Sequence, residues 1–443
     1  MLRMLARGNG RWPFRRGKTD SVLVEKINPM SHPPRIASRF TVILLSLCAC
    51  ATLVAEPMLK DGDRVLFIGD NATLQFYYSR MVENYFTLRH PDIRIHFDNI
   101  GWTDTAFTHL DRLERDLQCF RPTLVTICYG MNDGGFASLD DDHREKFRKG
   151  MTGLVDGFQK RGVKVILLTP NCVDPDRDKL SRIKKESWTY NETLAQLSKE
   201  VVKLAADKKV PVFDLFSLML DVQARGRKDD PKFTMIPDGI YPDPAGHAVM
   251  AYGLLKALGC TEQASGLELD AGTQKAKADR CKVENLKVTD AEISFTRTDE
   301  ALPTVFTDAE PVSRYIPLIE DFNQYRFKVT GLKASTWKLV VEGVETGTFS
   351  NAELAAGLNL ATRAGPWQTM ARQVDDLTVR EQGASCQRWV YLAQYVPADE
   401  LKPGYEAYMN KVAAYLDTFQ EKRIHAPDAR QWKWTLTAVA AKN

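Results

Sequence analysis

Phe67-Ile68-Gly69-Asp70-Asn71 decides the fold. An apolar strand, Arg64 to Ile68, runs into a Gly-Asp corner, and a helix follows at once. In a sheet of parallel strands this is the corner that presents a reactive side chain at the carboxyl edge. Here that position is a carboxamide, Asn71. Downstream the pattern alternates. Strands are expected at Arg64–Ile68, Ile93–Phe97, Leu124–Tyr129, Lys164–Thr169 and Val210–Asp214, with helices at Leu74–Arg89, Leu110–Phe120, Arg144–Arg161 and Thr189–Asp207. Leu124-Val125-Thr126-Ile127 and Val165-Ile166-Leu167-Leu168 are continuous apolar runs, as strands covered on both faces must be.

Three further blocks fall at expected strand ends. Asn99-Ile100-Gly101-Trp102 follows the second strand, and Gly130-Met131-Asn132-Asp133 follows the third. Asp238-Gly239-Ile240-Tyr241-Pro242 precedes Asp243-Pro244-Ala245-Gly246-His247 and an apolar helix. This order resembles the four blocks of the SGNH/GDSL hydrolase superfamily over roughly Asp61 to Gly259. The resemblance implies a flavodoxin-like three-layer α/β/α domain with a parallel sheet and an ester-hydrolase lineage. It also implies a serine nucleophile, a histidine base oriented by an aspartate, and an oxyanion held by a glycine N–H and an asparagine side chain. Carried onto this chain, Gly101 and Asn132 match the oxyanion donors and Asp238 matches the orienting acid. The two reacting positions are substituted: Asn71 stands at the nucleophile and Tyr241 at the base.

Neither replacement can do the original chemistry. A carboxamide offers no ionisable proton, and a phenol with a pKa of about 10 is a poor base at neutral pH. Because nucleophile and base act as one unit, losing both costs little more than losing one. Stand-ins are Thr73 as hydroxyl and His247 as relocated base with Asp243 orienting it, although Pro242 and Pro244 stiffen that segment. Simpler roles compete. Thr73 suits a helix entry, His247 a structural donor, Asp70 a turn cap, and Asn132 and Asp133 a loop closure. Tyr241 is expected to fill the base position and hydrogen-bond Asp238.

The 443 residues carry 60 Lys or Arg against 57 Asp or Glu, and 44% are hydrophobic. The basic excess sits in residues 1–29, where seven Lys or Arg face Asp20 and Glu25. The remainder is slightly acidic, so no nucleic-acid surface is expected. An apolar run from Phe40 to Ala55 follows Arg35 and Arg39. It has the length of a secretory signal core, with Met30 as the natural start, so an exported protein, periplasmic or extracellular, is expected. Leu47-Cys48-Ala49-Cys50 also resembles a lipobox, an alternative that would anchor Cys50 in a membrane. The cysteines lack metal-site spacing, and neither a metal nor a cofactor is expected. Cys260 and Cys281 are a candidate disulfide.

The expected organisation is an extension and signal segment (1–55), the hydrolase-like domain (56–259), a linker or loose helix (260–280), and a small β-rich module with a helical tail (281–443). Phe349 to Leu360 resembles the appended region of secreted SGNH proteins. Trp432 and Trp434 share one face of a closing strand, either as core or as a sugar platform. Two functions stay open. One is a catalytically impaired protein that binds a small-molecule ester or acylated glycan. The other is an esterase or carbohydrate deacylase with a rearranged site that uses His247.

Overall fold

The computed structural model describes residues 58–178, 182–260, 263–306, 309–395, 411, 414–415, 418–423, 425–426 and 430–440. The expected signal segment and Cys50 lie outside these residues, and the expected tail helix, 406–423, is described only in pieces.

β1 (Arg64–Gly69), β2 (His96–Asn99), β3 (Leu124–Cys128), β4 (Lys164–Leu168) and β7 (Val212–Phe213) form a parallel sheet in the order β2-β1-β3-β4-β7. A short ribbon, β5 (Lys184–Lys185) with β6 (Trp188–Thr189), lies in the connection after β4. Period-two alternation divides the strand side chains between two cores. Val65 and Phe67 pack with α2 (Tyr77–Arg89), α7 (Leu215–Asp229) and α8 (Pro244–Ala257). Leu66, Ile68, Val125 and Ile127 pack with α4 (Leu113–Phe120), α5 (Asp141–Gln159) and α6 (Tyr190–Lys208). This is the three-layer domain the sequence implies. α7 was not expected, and the first helix differs from the expected Leu74–Arg89. It divides into α1 (Asn71–Leu74) and α2, because Phe76 between them takes φ 66°. A four-residue helix, α3 (Ala106–His109), follows β2.

The second region is larger than the module expected. β10 (Cys281–Val288), β11 (Glu292–Asp299), β16 (Gln431–Ala438), β13 (Thr336–Val341) and β14 (Val344–Ser350) form an antiparallel sheet in that order. Against it lies a mixed sheet of β15 (Leu358–Asn359), β12 (Tyr325–Thr330), β8 (Ser265–Asp270) and β9 (Lys275–Asp279). The linker or loose helix expected over 260–280 is therefore corrected. Its Ser265–Asp270 and Lys275–Asp279 form a hairpin, and Ser265–Asp270 pairs in parallel with β12. Trp434 is fully buried and Trp432 nearly so, both in the core shared by the two sheets. Phe349 to Leu360 gains a structural reason. Ser350 caps α10 (Asn351–Ala356) in a reciprocal box with Glu353, and Gly357 returns the chain to β15. A short helix, α9 (Leu318–Phe322), precedes β12. The described residues pack as one compact unit, into which α11 (Pro366–Tyr395) is fastened by polar contacts. The Cys260–Cys281 bridge is not formed: Cys281 is a free thiol whose Sγ donates to the carbonyl of Gly266 at 3.3 Å.

Candidate functional site

All four blocks meet at the carboxyl edge of the parallel sheet. Asp70 ends β1 and caps α1, its Oδ1 accepting from the Ala72 N–H at 3.1 Å and its Oδ2 from the Met131 N–H at 3.1 Å. It is thus the turn and cap residue expected, and it also ties the first block to the third. Burial pushes its carboxyl up to about 7, against the two backbone donors that pull it down. Asp133 is buried beside it. Its Oδ1 accepts from the Ala106 N–H at 2.9 Å while Oδ2 has no hydrogen-bond partner among the described residues, and burial raises this group to about 8.

Asn71 and Asn132 come together across the site. Asn132 Nδ2 donates to Asn71 Oδ1 at 2.9 Å and to the backbone carbonyl of Asp104 at 2.9 Å. The Asp104 carbonyl can only accept, so it fixes which end of the Asn132 amide is nitrogen. That in turn fixes the Asn71 orientation. Both N–H groups of Asn132 are then committed, and Asn71 Nδ2 and Asn132 Oδ1 are left over as one donor and one acceptor.

Gly101 sits where a Cβ would lie 2.4 Å from the backbone N of Leu74, so close packing against α1 requires glycine there. Its N–H, implied as an oxyanion donor by the resemblance, is turned onto Asn99 Oδ1 at 2.9 Å. Asn99 Nδ2 in turn donates to the Thr73 carbonyl and Ser79 Oγ.

Two expectations about the base are corrected. Asp238 Oδ1 accepts from the backbone N–H groups of Ile240 at 2.9 Å and Tyr241 at 2.8 Å, and the Tyr241 phenol makes no hydrogen bond to it. Tyr241 is half-buried and faces the site: burial raises its phenol further, and the charges of Asp70 and Asp238 add to the rise. His247 is not placed as a relocated base. Its ring is fully buried between α2 and α8, stacked 6.1 Å from Tyr78, with Nε2 3.1 Å from Gln75 Oε1. Burial, with a smaller push from Arg80, lowers it to about 3. Asp243 caps α8 by accepting from the Gly246 N–H. Thr73 is equally enclosed, with Oγ1 3.0 Å from the Tyr78 hydroxyl.

The sequence reading missed the supports. Asp104 accepts from Arg112 at 2.9 Å and from the Tyr129 hydroxyl at 2.9 Å, and Arg112 also reaches Asp116 at 2.7 Å. The Trp389 indole N–H donates to Asp116 at 3.1 Å, and Arg112 lies over the Trp389 ring. This network holds the carbonyl that holds Asn132. Asp174 is buried and fully used, accepting from Arg227, Gln223 and Thr234, while its N–H anchors the Gly239 carbonyl of the fourth block. No motif pointed to these residues, because the contacts that tie them together, Tyr129 to Asp104, Arg227 to Asp174 and Trp389 to Asp116, join segments far apart in sequence. Among the described residues, no group of three or more His, Cys, Asp or Glu is placed to hold a metal ion.

Fold and block geometry define an α/β domain whose four blocks meet at the carboxyl edge of a parallel sheet. Residues 67–249 match the GDSL-like lipase/acylhydrolase family model, and this domain is a member of the SGNH/GDSL hydrolase superfamily. Among solved structures the chain is similar to a gut microbial diltiazem-metabolizing enzyme. The TM-score is 0.73 at 24% identity, covering 86% of this chain and 98% of that one, a likeness of fold that includes the second region. It is also similar to an acetylxylan esterase from Geobacillus stearothermophilus, at 20% identity and TM-score 0.37 over 46% of this chain and 96% of that one. No curated protein sequence matches.

Proposed function

We propose that this is an exported SGNH-fold protein that has lost ester turnover and uses the altered edge to bind a small acylated ligand, such as an acylated glycan. The observation that carries this reading is the amide pair: Asn132 spends both of its N–H groups on Asn71 and on the Asp104 carbonyl. An oxyanion forming there would have to break one of these bonds, and the Gly101 N–H is likewise committed to Asn99. With no nucleophile at Asn71 and no base at Tyr241, the remaining chemistry is recognition. Asn71 Nδ2 can donate to a ligand carbonyl, and Asn132 Oδ1 can accept from a neighbouring hydroxyl or amide. Export rests on the apolar run from Phe40 to Ala55, and Cys50 offers a lipid anchor as the alternative exit.

The rearranged esterase is disfavoured by the burial of His247 and Thr73 away from solvent. The experiment compares the purified protein with Asn71→Ser/Tyr241→His on aryl acetates and acetylated xylan, with calorimetric binding of acetylated xylo-oligosaccharides in parallel. Ligand binding without turnover in the parent, and turnover in the double variant, is the expected outcome. Parent hydrolysis that survives Asn71→Ala and disappears with His247→Ala would overturn it.

A further inference from the structure

Away from the catalytic edge, the mixed sheet of the second region has an outer face that the proposed function does not use. Along β12, Tyr325, Phe327 and Val329 point into the core, so Arg326 and Lys328 point out. Pairing register sets these beside the outward residues of β8 and β9. Arg326, Gly266 and Asp279 form one row, and Lys328, Glu268 and Lys277 form the next. Over the first row lies a groove of about 500 Å³, walled on one side by Ala356 and Gly357. That volume is within the range of ligand sites, roughly 300–1,000 Å³.

Gly266 is the telling residue. Its φ lies outside the left-handed region, and the nearest atoms that a Cβ built on it would meet are Arg326 Cβ at 3.7 Å, Asp279 Cβ at 3.8 Å and Gln263 Oε1 at 3.8 Å, all ordinary contacts. Neither backbone conformation nor packing demands glycine in this strand, where it costs about 0.5–1 kcal/mol. A side chain there would instead fill the groove floor. Glycine within a strand under such conditions leaves room for a ligand or another backbone to approach closely. Lysines on the edge strand β9 also guard against strand pairing, but that role says nothing about Gly266.

We propose that this groove is a binding site for an acidic saccharide, one carrying uronate carboxylates. The charges favour it. Three cations, Arg326, Lys328 and Lys277, face two acids, and neither lysine makes an ion pair among the described residues. Arg326 commits its Nε to Gln324 and keeps its terminal N–H groups for a carboxylate. Glu268, Asp279 and Gln263 are suited to accept from sugar hydroxyls. The one aromatic residue at the lining, Phe327, is fully buried, so no ring is offered for stacking a neutral sugar. Recognition therefore depends on charge, and it is independent of the altered catalytic edge.

Calorimetric titration of the purified protein with trigalacturonate, and with xylotriose as the neutral comparator, tests the site. Binding of trigalacturonate that weakens with salt is expected. It should fall at least about tenfold in Arg326→Ala and in Gly266→Val, while Gly266→Val raises the melting temperature because the fold never required glycine. Gly266→Ser serves as the second floor variant if valine does not fold. The proposal is overturned by no binding of trigalacturonate, by equal binding of xylotriose, or by affinity unchanged in the floor variants and Arg326→Ala.

Discussion

The Arg423 clasp is where burial and charge make the strongest quantitative claim. Arg423 is almost fully buried, with Nε 3.1 Å from Glu83 Oε1 on α2 and 2.9 Å from Glu381 Oε2 on α11, and Nη1 bonded to the Thr87 hydroxyl. Two buried carboxylates thus share one cation, with Gln382 donating to Glu83 at 2.7 Å and Asp98 adding a further negative charge nearby. Burial outweighs Arg423, so the Glu83 carboxyl lies well above its ordinary value of 4.5, and Glu381 and Asp98 push it further up. The folded protein then keeps a proton that the unfolded chain releases. Stability accordingly falls as pH rises from about 4.5 towards the folded pKa, by up to about 1.4 kcal/mol per pH unit, and is level above it. Glu83→Gln keeps the acceptor for Gln382 and removes this slope. Its stability relative to the parent should therefore grow as pH rises above about 4.5, by up to about 1.4 kcal/mol per pH unit. Arg423→Met leaves the buried Glu381 without its cation and should cost about 3–5 kcal/mol at pH 7. Urea unfolding across this pH range reads both. An unchanged pH slope in Glu83→Gln, or a loss below about 1 kcal/mol in Arg423→Met at pH 7, would refute the reasoning.

Three further outcomes follow from the site and its supports. His247, lowered to about 3, stays neutral in the folded chain while the unfolded chain protonates near 6.5; stability should fall by about 4–5 kcal/mol between those values, and His247→Phe should remove the fall in acid-unfolding curves. Trp389→Ala should cost about 3–5 kcal/mol in chemical unfolding, since the ring is buried against Trp102 and under Arg112; Trp389→Phe should recover most of that loss but not the donor to Asp116. Gly101→Ala places a Cβ 2.4 Å from Leu74 N and 2.6 Å from the carbonyl carbon of Thr73, which are backbone atoms with little room to yield; a loss of about 1–3 kcal/mol should appear as a lowered melting temperature.

The parallel sheet was legible because its strands are buried on both faces and read as unbroken apolar runs, as Leu124–Cys128 does. α11 was not legible for the opposite reason. Several residues on its buried face are polar, with Thr378 bonding Asn84, Gln382 bonding Glu83 and Ser385 bonding Asp98, so the apolar period that would announce a helix is broken. The Lys275–Asp279 strand is exposed along its whole length, and its alternation of Lys and Ala carries no core-facing stripe. Its pairing with β8 places it in the sheet.

The sequence by itself determined the domain's lineage and the chemistry available at its edge, since an amide at 71 and a phenol at 241 are facts of covalent structure. It could not determine where hydrogen bonds are spent. Which way the Asn132 amide turns depends on the Asp104 carbonyl, which the Arg112, Tyr129 and Trp389 network holds in place. Whether His247 is a base or a core residue depends on α2 folding over it. A donor's partner is set by three-dimensional proximity among segments far apart in the chain, and burial then decides the charge each group can carry. Those two quantities exist only once the chain is folded.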